Sequence, residues 1–378
     1  MGGDVRIGWR AMKNTEVHPL RVLVKGLFLF VLVNLLYAIV DPPLESSAYN
    51  AVFTGRERLP FDGQLVPYSV MVDDIAIMLA SHSVSAPKDA DEFRVLLIGD
   101  SSVWQEEVPI PETFTAYWNA QGLQCAGGRM RFYNLGYPHP SVIKDLVIMK
   151  EAMSTDPDLV IWFITTNTIM PRRVNPFITA NHEKTLQILD SYSLSLTGEE
   201  ELRARADGLL SRTIVGERSL LARWFKLQVL GVTWSATGLD YHDPVESHAA
   251  RPANDLSDSA EYLGVKFMED LSGRLLFSAI QAGHDIAGTV PILLVNEPIF
   301  IPQGENSDIR YNETYPRWAY DQYRDALTSE ASRQGWYYAD LWDVVPPEYF
   351  STTLHLTAEG GQVMVDSLTP VVLSEYCQ

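Results

Sequence analysis

Short hydrophobic runs alternate with amphipathic and polar segments over most of the chain. Five of these runs have the length and residue content of buried strands, and they cover residues 95–98, 130–136, 159–165, 291–296 and 336–340. Helical patterns follow several of them, including residues 141–153 and, near the end, residues 358–373. Strands that alternate with helices favour parallel pairing and right-handed crossovers. The pattern therefore predicts an α/β fold, a three-layer, doubly wound (flavodoxin-like), parallel five-stranded sheet.

A long segment without strand character interrupts this alternation at about residues 170–289. It contains helical stretches at 198–210 and 220–230 and a polar, loop-like piece at 235–259. This is much longer than a crossover between two strands needs. Burial is expected for Trp224, Phe225, Leu227 and Trp234, which disfavours a disordered excursion. We predict an insertion that forms a cap over the carboxyl edge of the sheet.

The N-terminal region predicts a membrane anchor at residues 20–40, which are apolar on all faces. The uninterrupted part from Gly26 is short for a span of about 20 residues, but Arg21 and Lys25 extend it because their side chains reach the interface. Basic residues precede the anchor and acidic residues follow it: Arg6, Arg10 and Lys13 before, Asp41 and Glu45 after. This asymmetry predicts that residues 1–19 are cytoplasmic and that the rest of the chain lies outside.

Two other interpretations of residues 20–40 stay open. One is a cleaved signal peptide, although the residues near Ala38 and Val40 make a poor cleavage site. The other is a buried core helix. Residues 41–93 contain scattered proline, serine and glycine and predict a stalk or linker, of which residues 69–80 are apolar enough to pack onto the domain. The domain itself is expected to span residues 94–378.

Composition narrows the classes of function. The chain has 378 residues and a formal net charge of −19, and it carries no basic block outside the N-terminal region. A nucleic-acid partner is therefore disfavoured, since phosphate binding needs a basic face. The sequence contains no HExxH or CxxC pattern, so neither a metal nor a cofactor is predicted. Cys125 and Cys377 lack metal-ligand spacing, and a disulfide between them is left open.

The turn after the first predicted strand has the residues of a candidate catalytic site. Gly99 permits a tight turn, and Asp100, Ser101 and Ser102 are residues that commonly begin helices. In a parallel α/β sheet this turn lies at the carboxyl edge, where such folds bind ligands. A serine there has its hydroxyl beside backbone N–H groups, which stabilise negative charge as it develops. Ser101 is therefore a candidate nucleophile.

Three further blocks follow in chain order. They are Asn134-Leu135-Gly136 after the second strand, Thr165-Thr166-Asn167 after the third, and Leu354-His355-Leu356-Thr357 before the last helix. With these blocks the chain resembles the SGNH hydrolase (GDSL-like) superfamily of esterases and acyltransferases. The resemblance covers about residues 94–375, apart from the insertion, and the fold it implies agrees with the one that the strand pattern predicts.

The resemblance implies a role for each block. Ser101 would be the nucleophile, and His355 would take its proton and later return it to a leaving or accepting oxygen. The oxyanion hole would combine the N–H of Ser101, the N–H of Gly136 and the side-chain amide of Asn167.

Three more residues are candidates for the substrate pocket because they lie close to these blocks or at a strand end: Asp100, His139 and Glu297. A structural turn residue is the alternative for His139, and a capping role is the alternative for Glu297.

Two positions depart from the family pattern. The third block is usually Gly-x-Asn-Asp, whereas here Thr168 follows Asn167. The family usually has an aspartate three residues before the histidine, where this chain has Thr352, which supplies no negative charge. Three outcomes stay open: Asp343 or Glu348 replaces that carboxylate, a Ser–His dyad suffices, or the site is weak or inactive.

The leading hypothesis is a membrane-anchored, extracytoplasmic serine esterase or O-acyltransferase with an acyl-enzyme on Ser101. The resemblance to anchored envelope enzymes implies acyl (acetyl) esters of a polysaccharide as substrate and a membrane-bound acyltransferase as partner. One alternative is a lipid esterase. The other is a non-catalytic scaffold that binds a glycan or an assembly partner, and Thr352 favours it.

Overall fold

The computed structural model describes residues 18–44, 55–61, 73–105, 107–206, 208, 210–231, 261–267 and 269–377. The helices are α1 (Pro19–Val40), α2 (Ile75–Ser81), α3 (Ser101–Trp104), α4 (Phe114–Gln121), α5 (Val142–Ala152), α6 (Thr166–Ile169), α7 (Pro176–Ala180), α8 (His182–Tyr192), α9 (Glu199–Ala206), α10 (Arg218–Lys226), α11 (Phe277–Ala287), α12 (Arg317–Gln334) and α13 (Ala358–Tyr376). The strands are β1 (Glu92–Ile98), β2 (Gln124–Cys125), β3 (Gly128–Asn134), β4 (Leu159–Ile164), β5 (Ile292–Asn296) and β6 (Tyr337–Asp340).

Six strands of the described chain form one mixed sheet in the order β2-β3-β1-β4-β5-β6. All neighbours pair in parallel except β2, which pairs antiparallel with the start of β3. The prediction of an all-parallel, five-stranded sheet is corrected accordingly. Ala126 and Gly127 both have positive φ, 49° and 83°, so the chain reverses tightly and adds residues 124–125 as an edge strand. Two residues are too short a stretch to show a hydrophobic pattern.

Alternate side chains along the central strands enter two separate cores, one on each face of the sheet. In β1, for example, Leu96 and Ile98 pack in one core, and Val95 and Leu97 pack in the other. The first core is covered by α5, α8, α11 and α12, and the second by α4 and α13. Burial on both faces explains why these strands read as continuous hydrophobic runs.

Helix α1 forms a unit of its own with residues 208–219. It is long and apolar enough to cross a membrane, since its 22 residues extend about 33 Å. Two described hydrogen bonds join the second half of the helix to residues 208–219. The side chain of Asn34 donates to the Phe30 carbonyl and accepts the Val215 N–H, and Tyr37 Oη donates to Glu217 at 2.7 Å.

Much of the region predicted as a stalk belongs to the sheet domain. Leu59, Ile75, Met78 and Val84 are buried in the larger core, and α2 begins where the Asp74 side chain accepts the Ile77 N–H. Residues 73–80 thus pack onto the domain, as their apolar character predicts, whereas the stalk prediction is corrected for residues 55–61 and 81–91, whose apolar side chains are more dispersed. Residues 45–54 and 62–72 lie outside the described residues.

The predicted insertion contains α7 to α11. Its last helix, α11, packs against α5 and is the crossover that leads back into β5. Leu227 is buried, but Phe225 is 63% exposed, so the expectation that Phe225 needs burial was wrong. Trp234 and the predicted loop at 235–259 lie outside the described residues.

Cys125 and Cys377 form a disulfide, which the sequence left open. The bond joins β2 to the residue after α13, across 252 positions of sequence. It ties the edge of the sheet to the helix that follows the His355 block.

Candidate active site

The turn after β1 places Ser101 at the carboxyl edge of the sheet, as the first residue of α3. The Asp100 side chain caps this helix by accepting the Ser102 N–H at 3.0 Å. Ser101 is half-buried, and its Oγ lies 2.9 Å from Nε2 of His355, which is 254 positions away in sequence. This is the geometry in which an imidazole can take the proton of a serine nucleophile.

Gly136 allows the loop after β3 to lie directly against α3. A Cβ at this position would be only 2.6 Å from the backbone nitrogen of Trp104, so a side chain could not be accommodated without moving the helix. The Gly136 N–H donates to Oδ1 of Asn134 at 3.0 Å, and the Asn134 amide donates to the Val103 carbonyl at 2.7 Å. The structure thus brings Gly136 to the nucleophile turn, with its N–H engaged by Asn134 rather than directed at an oxyanion.

A buried lysine fixes the backbone on both sides of this turn. Lys144 donates to the carbonyls of Gly99 and Tyr137, at 2.7 and 2.6 Å, and pairs with Asp145 at 2.9 Å. Both side chains of this ion pair are fully buried. Lys144 belongs to none of the four sequence blocks, although a Lys-Asp pair inside the apolar stretch of α5 is a signal visible in the sequence.

Glu297 contacts the nucleophile helix through the Ser102 hydroxyl. It follows β5, is buried, and accepts a short hydrogen bond from the Ser102 hydroxyl. Burial, followed by the negative charge of Asp100, raises the pKa of Glu297 well above its usual range. Asp100 is also buried, and both carboxyl groups hold the turn through Ser102. That they line the substrate pocket stays a prediction.

His355 lies in a loop that backbone hydrogen bonds hold at the start of α13. Its carbonyl accepts the Ser351 N–H at 2.8 Å, and its N–H donates to Thr352 Oγ1 at 3.0 Å. Gly360 lets α13 approach this loop, because a Cβ there would lie 2.4 Å from the Tyr349 carbonyl oxygen. Thr352 thus holds the backbone of His355 and not its ring.

The second ring nitrogen of His355 is buried and has no hydrogen-bond partner among the described residues. Asp343 and Glu348 are both exposed, and no hydrogen bond or ion pair joins either of them to His355. The structure therefore does not bring the predicted carboxylate to the histidine. The described part of the site is a serine–histidine dyad.

Asn167 is the second residue of α6, which follows β4 and begins with a capping box formed by Thr165 and Thr168. Thr168, which stands where the family has aspartate, is buried and serves this cap. The Asn167 side chain is half-exposed and is surrounded by three hydrogen-bonding side chains. Oδ1 accepts from Arg172 Nη2 at 2.8 Å and from Tyr262 Oη at 3.0 Å, and Nδ2 donates to Tyr315 Oη at 3.2 Å.

His139 is exposed, with a left-handed backbone conformation at φ 78°. Its ring packs edge-on to Phe61 at 5.9 Å, and Phe61 also contacts Trp104 and Tyr137. A substrate contact by His139 stays a prediction. Among the described residues, no group of three or more His, Cys, Asp or Glu side chains could hold a metal ion.

No protein-family model and no curated protein matches the chain. Solved structures that it is similar to include a lipolytic G-D-S-L family protein from Veillonella parvula, with 11% identity, a TM-score of 0.36, and 74% of this chain and 97% of that chain covered. A carbohydrate acetylesterase family member from Sinorhizobium meliloti has 11% identity, a TM-score of 0.33 and the same coverages. The aryl esterase of M. smegmatis has 15% identity, a TM-score of 0.33, and coverages of 74% and 98%.

Proposed function

We propose that this chain is an SGNH-type serine esterase or O-acyltransferase that acts through an acyl-enzyme on Ser101. The observation that carries the proposal is the 2.9 Å contact between Ser101 Oγ and His355 Nε2 at the carboxyl edge of the sheet. Two residues so distant in sequence meet at the edge where α/β folds bind ligands. The half-exposed side chains of both residues leave them accessible to an ester.

The proposed reaction through an acyl-enzyme requires only a few groups of the protein. Ser101 Oγ attacks the ester carbonyl while its proton passes to His355 Nε2, and the Ser101 N–H and Asn167 Nδ2 stabilise the oxyanion. The proton then moves to the departing alcohol oxygen, which leaves an acyl group on Ser101. Water, for an esterase, or a hydroxyl of a second substrate, for a transferase, attacks this acyl group, and His355 again accepts the incoming proton and returns it to Ser101.

The unpartnered Nδ1 of His355 limits the substrates to which this dyad is suited. With no carboxylate among the described residues to stabilise the imidazolium, proton transfer is less favourable than in a triad. We therefore propose that the substrates are esters with good leaving groups, or acyl groups delivered to the site by a partner. The membrane-bound acyltransferase that the resemblance implies is such a partner. It would deliver an acyl (acetyl) group to Ser101, and a hydroxyl of the envelope polysaccharide would then accept that group and form the ester.

The location is part of the proposal. Helix α1 supports a single-pass anchor. The basic residues before it and the acidic residues after it favour a cytoplasmic N-terminus, with the catalytic domain outside. The Cys125–Cys377 disulfide supports an oxidising compartment for the domain, because such bonds are rare in the cytosol. The same unpartnered Nδ1 favours a second candidate function, a non-catalytic scaffold that uses the cleft to bind a glycan.

A covalent probe separates the two candidates. The full chain in detergent would be treated with a fluorophosphonate, and the mass of the peptide that contains Ser101 would be measured. Hydrolysis of an activated acetate ester would be followed in parallel for wild type, Ser101→Ala and His355→Ala. Ser154→Ala is the control, since Ser154 is exposed and only bonds the Glu151 carbonyl.

An enzyme gives a modified Ser101 peptide, and turnover that disappears in the Ser101 and His355 variants but not in Ser154→Ala. A scaffold gives an unmodified peptide and no turnover above that of Ser101→Ala. That second result, with folded protein, would refute the proposed function.

A further inference from the structure

The hydrogen bonds around Asn167 fix which way its amide points. Arginine carries only donors, so the atom of Asn167 that faces Arg172 Nη2 at 2.8 Å has to be the oxygen. Tyr262 Oη lies 3.0 Å from the same atom, which fills both acceptor positions of Oδ1. A flipped amide would place an NH2 group against the guanidinium and lose that bond.

The amide nitrogen is consequently held on the opposite side. One of its two hydrogens is used by Tyr315 Oη, at 3.2 Å, and the second is left for a ligand. Tyr315 is buried, so its position is fixed by packing and not by solvent. Three neighbouring side chains, Arg172, Tyr262 and Tyr315, thus set the position of the amide nitrogen.

Arg172 also acts on the electronic state of the amide. Its Nε donates to the Asn167 main-chain carbonyl at 2.9 Å, so the guanidinium forms hydrogen bonds with this residue at two points. A charge-assisted bond to Oδ1 draws electron density toward the oxygen, which makes the N–H hydrogens stronger donors.

Tyr262 comes from the segment inserted between β4 and β5, about 95 residues from Asn167 in sequence. It is buried, and two backbone hydrogen bonds with Val265, at 2.8 and 2.9 Å, hold the turn that carries it. Burial raises the pKa of Tyr262 far above its usual value, so the phenol stays protonated and its hydroxyl remains a donor at any working pH.

We propose that Arg172 and Tyr262 are positioning residues that hold Asn167 Nδ2 toward the oxyanion, so that the insertion completes the oxyanion hole. The inference rests on the proposed function and assigns the insertion a part in it. In the family pattern an aspartate follows the asparagine. Here Thr168 occupies that position and is used for capping, and the orienting groups come from elsewhere in the chain.

A double-mutant cycle tests the inference, with kcat and KM for an activated acetate ester as the readout. Tyr262→Phe keeps the ring, which packs 6.1 Å from Tyr315, and removes only the hydroxyl. We expect kcat to fall about 10-fold with KM nearly unchanged, since the oxyanion exists only in the transition state and complete loss of such a donor costs about 10²–10³-fold. In an Asn167→Ala background, Tyr262→Phe should cause no further loss.

Arg172→Met gives a second cycle if Tyr262→Phe folds poorly, and Arg172→Lys should restore part of the loss because it keeps the charge. Tyr133→Phe is the matched control, a buried tyrosine whose hydroxyl bonds Glu92 at the start of β1, away from the carboxyl edge. Equal losses in the wild-type and Asn167→Ala backgrounds would overturn the inference and leave the proposed function intact. Turnover that survives Ser101→Ala would overturn the proposed function, and this inference with it.

Discussion

Ser101 and His355 meet at one hydrogen bond, but the regions that hold the two residues are built differently. The serine turn is held by buried charged and polar groups that contact one another, the backbone or the Ser102 hydroxyl, namely Lys144, Asp145, Glu297 and Asn134. The histidine loop is held by backbone contacts and by the exposed Thr352, and the inner ring nitrogen of His355 has no described partner.

This difference predicts that the serine turn contributes mainly to the stability of the protein and the histidine loop mainly to its catalytic rate. Removing one partner of a charged pair buried under the serine turn destabilises the folded protein, because the remaining charge is left without water and without its partner. The histidine loop has no such dependence. We therefore expect changes below the serine to act mainly on the free energy of unfolding, and changes around the histidine to act mainly on the rate.

The largest expected effect is that of His355→Ala. We expect kcat to fall by about 10⁴–10⁶-fold, in the range found for loss of a catalytic histidine, because Ser101 loses its proton acceptor. The free energy of unfolding should change by less than about 1 kcal/mol, since the side chain is half-exposed. Ester hydrolysis and urea denaturation would measure the two quantities. A large loss of stability would contradict the division between the two regions.

Lys144→Met tests the serine turn, the other region of this comparison. It removes the charge that pairs with buried Asp145 and the donors to the Gly99 and Tyr137 carbonyls, so we expect a loss of about 3–5 kcal/mol in the free energy of unfolding. Lys184→Met is the matched control. Its pair with Glu151 is partly exposed, and we expect a change of about 1 kcal/mol or less. Similar losses in the two variants would show that the buried pair has no special role.

The same contrast explains what the sequence could predict. The central strands β1, β4 and β5 are largely buried on both faces, and their hydrophobic runs predict them to within a few residues. The runs also give β3 and β6 to within a few residues, although these two strands are partly exposed. Ser101, Gly136, Asn167 and His355 follow strands or precede a helix in a fixed order, and a linear motif can identify such positions.

The residues that hold the site residues in place could not be identified from a linear motif. Tyr262 reaches Asn167 across the insertion, and a contact over that distance leaves no local pattern. Proximity in sequence was also misleading, since Asp343 is near His355 in the chain but is exposed and makes no hydrogen bond to it. The partner of a histidine depends on the path of the loop, which residue spacing does not determine.

Adding a charge beside His355 would sharpen the comparison, and Thr352→Asp does so at the position where the family has its carboxylate. An aspartate can still accept the His355 N–H, so the loop should keep its form. We expect kcat/KM for an acetate ester to rise about 10-fold, because the carboxylate stabilises the imidazolium that forms as Ser101 attacks. Thr352→Asn is the control without charge and should leave the rate nearly unchanged. An equal rise in both variants would mean that the charge is not the cause.

The last effect expected is a change in how stability depends on pH. The pKa of Glu297 is raised in the folded state by burial and by Asp100, so the folded protein retains a proton that the unfolded chain releases above its ordinary pKa of about 4.5. Stability from this group is therefore complete at low pH and is lost as pH rises above that value, by at most about 1.4 kcal/mol per pH unit. Glu297→Gln is neutral at every pH and can still accept the Ser102 hydroxyl, so its free energy of unfolding should decline less between pH 5 and 8.

Urea denaturation across this range would measure this decline. Glu348→Gln is the control, because Glu348 is exposed and its replacement should leave the wild-type slope unchanged. A slope in Glu297→Gln equal to that of wild type would show that Glu297 is already ionised beneath the serine turn, and that the turn tolerates the charge.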